Sequence, residues 1–170
     1  MIKEKEMVEI RDKVRYQDGS SITHQTLQNA LRDAAKAHGI PIAFSSDQIK
    51  YGGLIGGSTV DCTVVYHPQH EKDYFKLAVQ ITHQGNYAFV SVFSFGVSRL
   101  MGNEAAHENM MNDIKAGFRN HDSKSIGGAV GSVLGAGVRR VIKGGRDSQA
   151  LEEEKNWYAM VGDLFDEIVS

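Results

Sequence analysis

The fold is decided by residues 59–96, TVDCTVVYHPQHEKDYFKLAVQITHQGNYAFVSVFSFG, which contain three apolar runs separated by turn signals. Apolar and polar residues alternate within these runs, a pattern typical of strands that bury one face. We predict an α+β fold. In it, an antiparallel meander of three to four strands is covered by helices and followed by a helical C-terminal tail.

The register of the meander follows from Gly85 and Asn86, which lie between two alternating runs. Glycine at the first position of a two-residue loop suits a II′ turn, whose twist matches that of the paired strands. With this loop Gln84 faces Tyr87. The core face is then predicted to carry Phe75, Leu77, Val79, Ile81, Val90 and Val92. The even-numbered residues of the preceding strand are predicted to join it: Val60, Cys62, Val64 and Tyr66.

The opposite face of the predicted sheet is rich in aromatic residues, with Phe89, Phe93 and Phe95 on one strand. Each ring buries roughly 150 Å² or more, so a contiguous wet patch of this kind is unfavourable. A later helix of the same chain is one possible cover, and a partner or ligand is the alternative. A ligand pocket would lie between these rings and a helix that carries Met110 and Met111.

Composition describes an ordinary globular protein, with 41% hydrophobic and 24% charged residues in 170. The net charge of −2 argues against a general nucleic-acid binder. A single cysteine, Cys62, excludes an internal disulfide and favours a reducing compartment, so we expect a cytoplasmic protein. Neither a signal-peptide apolar region nor a run of about 18 apolar residues is present, so no transmembrane helix is expected.

The segments before the meander are predicted from spacing and turn residues. Residues 1–16 fit both a helix and a strand, and we interpret them as a helix. Thr23 or Ser21 can cap the next helix, which ends before Gly39. Residues 40–44 are predicted to form an edge strand, because their proline cannot donate to a central ladder.

Glycines recur every four residues at Gly127, Gly131 and Gly135. Each costs a helix about 1 kcal/mol relative to alanine, so a helix here needs close contact between two helix axes as compensation. Three interpretations stay open. The segment is a helix packed in the chain or across a homo-oligomer, a peripheral membrane contact at residues 126–146, or a flexible linker.

A last helix is predicted from Asp147 or Ser148 onward, with the apolar stripe Trp157, Val161 and Leu164. We assign residues 1–122 to an α+β body. Residues 123–170 are assigned to two helices that pack on the body or on a partner subunit.

The sequence contains no arrangement of residues that indicates catalysis. A Gly-x-Ser-x-Gly nucleophile elbow, a phosphate-binding loop and a His-Glu-x-x-His run are all missing from it. His67 and His70 have a spacing that some metal sites use, but zinc needs three or four ligands. We therefore expect no catalytic residue, no metal site and no cofactor.

Two functions remain from different classes. One is a non-catalytic interaction protein that self-associates, with Gly127, Gly131, Gly135, Trp157, Val161 and Leu164 at the interface. The alternative is a binding module for an apolar small ligand or lipid, with Phe89, Phe93, Phe95, Met110 and Met111 as the binding residues. In the first case the partner is a second copy or a helix-mediated protein partner.

Overall fold

The computed structural model describes residues 1–53, 55–100 and 145–169. The strands are β1 (Ile2–Lys3), β2 (Val8–Tyr16), β3 (Ala43–Tyr51), β4 (Ser58–Tyr66), β5 (Lys76–Gln84) and β6 (Tyr87–Phe95). The helices are α1 (His24–His38) and α2 (Gly145–Val169), and single 3-10 turns lie at Glu4–Glu6 and Gly19–Ser21. Neither α1 nor α2 combines the length and the apolar character needed to cross a lipid bilayer.

The chain divides into two compact units. One consists of residues 1–30 and 41–98, and so holds the six described strands and the first turns of α1. The other consists of residues 31–40 and 99–170, and so holds the rest of α1 and α2. The boundary predicted near residue 122 lies outside the described residues.

The prediction of an antiparallel sheet with three to four strands is wrong. Within the described residues six strands form one sheet, in the order β1-β3-β4-β5-β6-β2. The sheet is mixed, because β1 runs parallel to β3, with Ile2 beside Ile49 and Lys3 beside Lys50. The other neighbours are antiparallel. The α+β class itself is confirmed.

The predicted N-terminal helix is a strand over residues 8–16. It forms β2 at an edge of the sheet, next to β6. Its register shifts between Glu9 and Arg11 and again between Arg11 and Val14. Each shift accommodates one extra residue, so the break in alternation that favoured a helix is a pair of β-bulges. Pairing with β6 therefore outweighs the helical spacing of the apolar residues.

The strand predicted at residues 40–44 is longer and lies later in the chain. It begins at Ala43, after the proline, and continues to Tyr51 as β3. It pairs with β4 along its whole length. Four consecutive polar residues at 45–48 interrupt the alternation that marks a strand, so its second half could not be recognised from the pattern.

The predicted β5–β6 hairpin is confirmed. Gln84 pairs with Tyr87, and the register continues without a break to Lys76 and Phe95. Gly85 has a φ of 58°, which glycine adopts without steric cost. The predicted core face is buried at Phe75, Leu77, Val79, Ile81, Val90 and Val92.

The face assigned to β4 is wrong. Cys62 pairs with Gln80 and Val64 with Ala78, so the even-numbered residues lie opposite the core face. Thr63 and Val65 take the core side instead. All residues from Cys62 to Val65 are buried. Both faces of this strand are therefore covered, and alternation cannot show which of them joins the core.

The terminal signals predicted for α1 are confirmed, whereas the start predicted for α2 at Asp147 or Ser148 is wrong. Thr23 caps α1, because its Oγ1 accepts the backbone N–H of Thr26 at 3.1 Å. Gly39, with a φ of 67°, ends the helix. Helix α2 begins at Gly145, slightly ahead of the predicted start. Its apolar stripe is buried at Trp157, Tyr158, Val161, Leu164 and Phe165.

The link between β1 and β2 requires the sheet to curl. These strands lie at opposite edges, about 24 Å apart if the sheet were flat, since neighbouring strands are roughly 4.8 Å apart. From Lys3 to Val8 the chain reaches at most about 18 Å. The sheet curls into a half-barrel. Met7, which lies in the link, packs against a cluster opposite the core face, so the sheet curls towards that side.

Candidate functional site

The aromatic face is the side of the sheet that carries the odd-numbered residues of β6. It brings together the three phenylalanines predicted to bind a ligand, Phe89, Phe93 and Phe95, and adds Tyr87. The phenylalanines are half-buried and Tyr87 is 38% exposed. This face therefore offers four partly exposed rings on neighbouring positions of one strand.

Part of the aromatic face is closed by the chain itself. A buried cluster there consists of Ile2, Ile49, Cys62, Val64 and Ala78. Met7, Tyr51, Tyr66, Phe93 and Phe95 pack against this cluster. Phe93 and Phe95 are thus held in place by intrachain contacts. The contributions of Ile2 and Met7 could not be found from the sequence, because the N-terminal segment was predicted to be a helix.

Two cations lie over rings at the β2 side of the aromatic face. The Nζ of Lys13 is 5.0 Å from the centroid of the Phe89 ring, and the Cζ of Arg15 is 5.4 Å from that of Tyr87. Such contacts contribute about 0.5–1 kcal/mol at exposed sites. Lys13 and Arg15 are both exposed, so their charged groups remain accessible beside the rings.

A third cation lies towards the other end of the same face. The Nζ of Lys76 is 5.3 Å from the centroid of the Tyr66 ring and 3.2 Å from a carboxylate oxygen of Glu71. Its charge is therefore balanced. The ion pairs of the described residues involve neither Lys13 nor Arg15.

The middle of the aromatic face contains one polar pair. The hydroxyl of Tyr51 donates to Oε1 of Gln80 at 2.6 Å. Burial, together with the negative charge of Glu4, raises the pKa of Tyr51 above its ordinary value. The phenol therefore stays protonated near neutral pH, and its donor is already used within the chain.

Cys62 is also on the aromatic face, but it has the properties of a small buried apolar residue. It is free and 3% exposed. Burial, assisted by the carboxylate of Asp47, raises the pKa of its thiol to about 11. A nucleophilic cysteine needs an accessible thiolate, so this residue is not suited to nucleophilic chemistry near pH 7.

The histidines of the β4–β5 loop form an aromatic cluster. Nδ1 of His67 accepts the backbone N–H of Gln69 at 3.1 Å, and His70 stacks on Tyr74 with ring centroids 4.2 Å apart. Burial, with a smaller effect of His70, lowers the pKa of His67. Among the residues that the structure describes, no group of three His, Cys, Asp or Glu side chains is placed to hold a metal ion.

A polar network on the core side anchors the start of α1 to the sheet. Nδ1 of His24 is 2.9 Å from Oγ1 of Thr63, and Nε2 of Gln28 donates to the same oxygen at 3.1 Å. Burial lowers the pKa of His24. A histidine beside a hydroxyl can activate a nucleophile, but Thr63 is only 1% exposed, so a substrate cannot reach it.

Of the residues predicted to mediate self-association, the structure describes three, Trp157, Val161 and Leu164. Gly127, Gly131 and Gly135 lie outside the described residues, as do Met110 and Met111. Trp157, Val161 and Leu164 are buried within the single chain. Self-association therefore stays a prediction that the described residues do not test.

No model of a known protein family, no curated protein and no solved structure matches this chain. The aromatic face, with its partly exposed rings and two accessible cations, is the feature from which a function is inferred.

Proposed function

We propose that this protein is a non-catalytic binding module that holds an apolar ligand on its aromatic face. The observation that supports this is the arrangement of β6, which places four partly exposed rings, Tyr87, Phe89, Phe93 and Phe95, on one side. The sheet curls towards that same side. Sites for small ligands are concave, mainly apolar and provided with few polar groups.

The polar groups on this face support binding rather than catalysis. The Cys62 thiol is buried and protonated, and the Tyr51 hydroxyl is committed to Gln80. Enzymatic sites combine a nucleophile or base with a group that orients it. The aromatic face shows no such pairing among the side chains described.

The expected affinity is modest. Each buried methylene contributes about 0.8 kcal/mol, so a chain of about ten methylenes offers a gross gain near 8 kcal/mol. A dissociation constant of about 1 μM corresponds to roughly −8.2 kcal/mol. Association also costs several kcal/mol in lost freedom. We therefore expect such a ligand to bind more weakly than about 1 μM.

Backbone amide NMR titration with decanol tests the proposal. We expect the largest shift changes in β5 and β6, and Phe89→Ser should weaken binding about tenfold through lost apolar contact. Val97→Ser is the matched control, because Val97 is 71% exposed and lies after β6. Shift changes scattered over the molecule, or equal binding by the Phe89→Ser variant, would contradict the proposal.

We infer that the protein works in a reducing compartment such as the cytoplasm. Its single cysteine is free and buried, so stability is independent of disulfides. Fractionation of cells that express a tagged chain checks this, and recovery in an oxidising compartment would contradict it.

A further inference from the structure

The geometry points to an amphipathic anion as the ligand, specifically a single-chain carboxylate of the fatty-acid type. Its carboxylate would lie at Lys13 and Arg15, and its chain would follow the rings of β6. This inference rests on the proposed function and adds the charge and the orientation of the ligand.

Charge is distributed unevenly along β2. Arg15 lies beside Phe89 in the register, whereas Glu9 lies beside Phe93. Four residues of strand separate these positions, which corresponds to about 13 Å. An anionic head is therefore attracted to the end near Phe89 and repelled from the end near Phe93.

The cations of the aromatic face differ in whether a carboxylate accompanies them. Lys76 lies over an aromatic ring and is balanced by Glu71. Lys13 and Arg15 also lie over rings, but the ion pairs of the described chain leave both without a carboxylate. A carboxylate from a ligand would balance the charges of Lys13 and Arg15 as Glu71 balances that of Lys76. A charged hydrogen bond to Arg or Lys is among the stronger polar contacts.

At the Lys13 and Arg15 end of the face, charge lies directly next to apolar surface. The two cationic groups lie within about one ring diameter of Phe89 and Tyr87, so a bound ligand has its anion immediately beside apolar atoms. In the middle of the face the Tyr51 hydroxyl already donates to Gln80 and requires no polar group from a ligand. A charged head followed by an uninterrupted apolar chain fits this order.

A monomeric ligand fits this surface better than a bilayer does. The three phenylalanines are half-buried, and they lie on the side towards which the sheet curls. Met7, in the link between β1 and β2, packs on the same side. A flat membrane surface cannot follow such a contour, whereas a single chain can enter it.

Calorimetric titration with decanoate and decanol separates the charge of the head from the apolar chain. We expect the wild-type protein to bind decanoate about tenfold tighter than decanol, a difference that corresponds to roughly 1.4 kcal/mol. The double variant Lys13→Gln, Arg15→Gln should bind decanoate only as well as it binds decanol. Lys76→Gln is the matched control and should retain the preference.

The outcomes distinguish this inference from the proposed function. Equal binding of both ligands by the wild-type protein, or a preference that survives in the double variant, would overturn the anionic head and leave the apolar site standing. Failure of both ligands to bind would overturn both. Binding to phosphatidylglycerol vesicles without binding to decanoate would assign the cations to a membrane surface instead. Thermal unfolding of each variant verifies that it is folded.

Discussion

The two faces of the sheet differ in how their apolar residues are covered. On the core face Leu77 and Val79 are at most 1% exposed, and the Thr63 network with His24 and Gln28 closes over it. On the aromatic face larger rings stay half-buried and are accompanied by cations. The core face is therefore closed, whereas the aromatic face combines a buried cluster with partly exposed rings.

The largest expected effect tests this difference in packing between the two faces. Leu77→Ala removes a buried side chain from the core face and should lower the free energy of unfolding by about 2–5 kcal/mol. Phe89→Ala removes a larger but half-buried ring and should cost less than about 1.5 kcal/mol, because much of its surface is still wet in the folded state. Denaturant unfolding measures both. Equal losses would mean that Phe89 is packed as closely as Leu77.

The next effect concerns the loop that covers the end of the core face. A Cβ at Gly19 would lie 2.3 Å from the Cβ of Ala88, which is completely buried. Gly19→Ala should therefore cost about 1–3 kcal/mol through overpacking. Gly53→Ala is the control, since a Cβ there meets nothing within 4 Å. If both variants unfold at the same denaturant concentration, the loop is not packed on Ala88 in solution.

A smaller loss is expected when the polar network on the core side is opened. Thr63→Val keeps the shape of the side chain but removes the oxygen that His24 and Gln28 contact, so it should cost about 1–2 kcal/mol. Thr63→Ser keeps the oxygen and loses a methyl group. In denaturant unfolding the Thr63→Val variant should have a lower free energy of unfolding than the Thr63→Ser variant. The reverse order would show that packing, and not hydrogen bonding, holds α1 to the sheet.

The smallest effect is a pH dependence that follows from the same network. Burial lowers the pKa of His24 below its ordinary value of 6.5, so the unfolded chain takes up the proton first as the pH falls. The contribution of His24 to the free energy of unfolding is therefore fully present above about pH 6.5 and is lost progressively as the pH falls below that value.

Unfolding experiments between pH 5 and 8 check this pH dependence, and His24→Gln should flatten the profile. Some slope should remain, because the pKa of His67 is lowered by burial as well. An unchanged profile in the His24→Gln variant would exclude His24 as its source.

Local signals sufficed for elements whose geometry is set within a few residues. The Gly85-Asn86 loop predicted every pair of the β5–β6 ladder, and Thr23 and Gly39 predicted the limits of α1. The three phenylalanines of the candidate site share a face for the same reason, since alternation within one strand requires no information from elsewhere in the chain.

Long-range pairing was beyond the sequence signals. The bulges of β2 conceal its alternation until β6 is known to lie beside it, and β1 has only two residues. The face of β4 is hidden because both sides of Cys62–Val65 are buried. Lys13 and Arg15 lie on β2, so their position beside the rings of β6 could not be predicted while β2 was interpreted as a helix. The charged part of the candidate site is therefore visible only in the tertiary structure.

The short link between β1 and β2 has a consequence for the order of folding during synthesis. Both strands leave the ribosome before their partners, because β1 pairs with residues 49–50 and β2 pairs with residues 88–94. Neither strand can pair until its distant partner has been made, and contacts of such long range form slowly. The nascent segment that contains β1 and β2 must stay soluble until those partners have been synthesised. The charged residues of β2 favour this, because charges on an unpaired strand discourage pairing between chains.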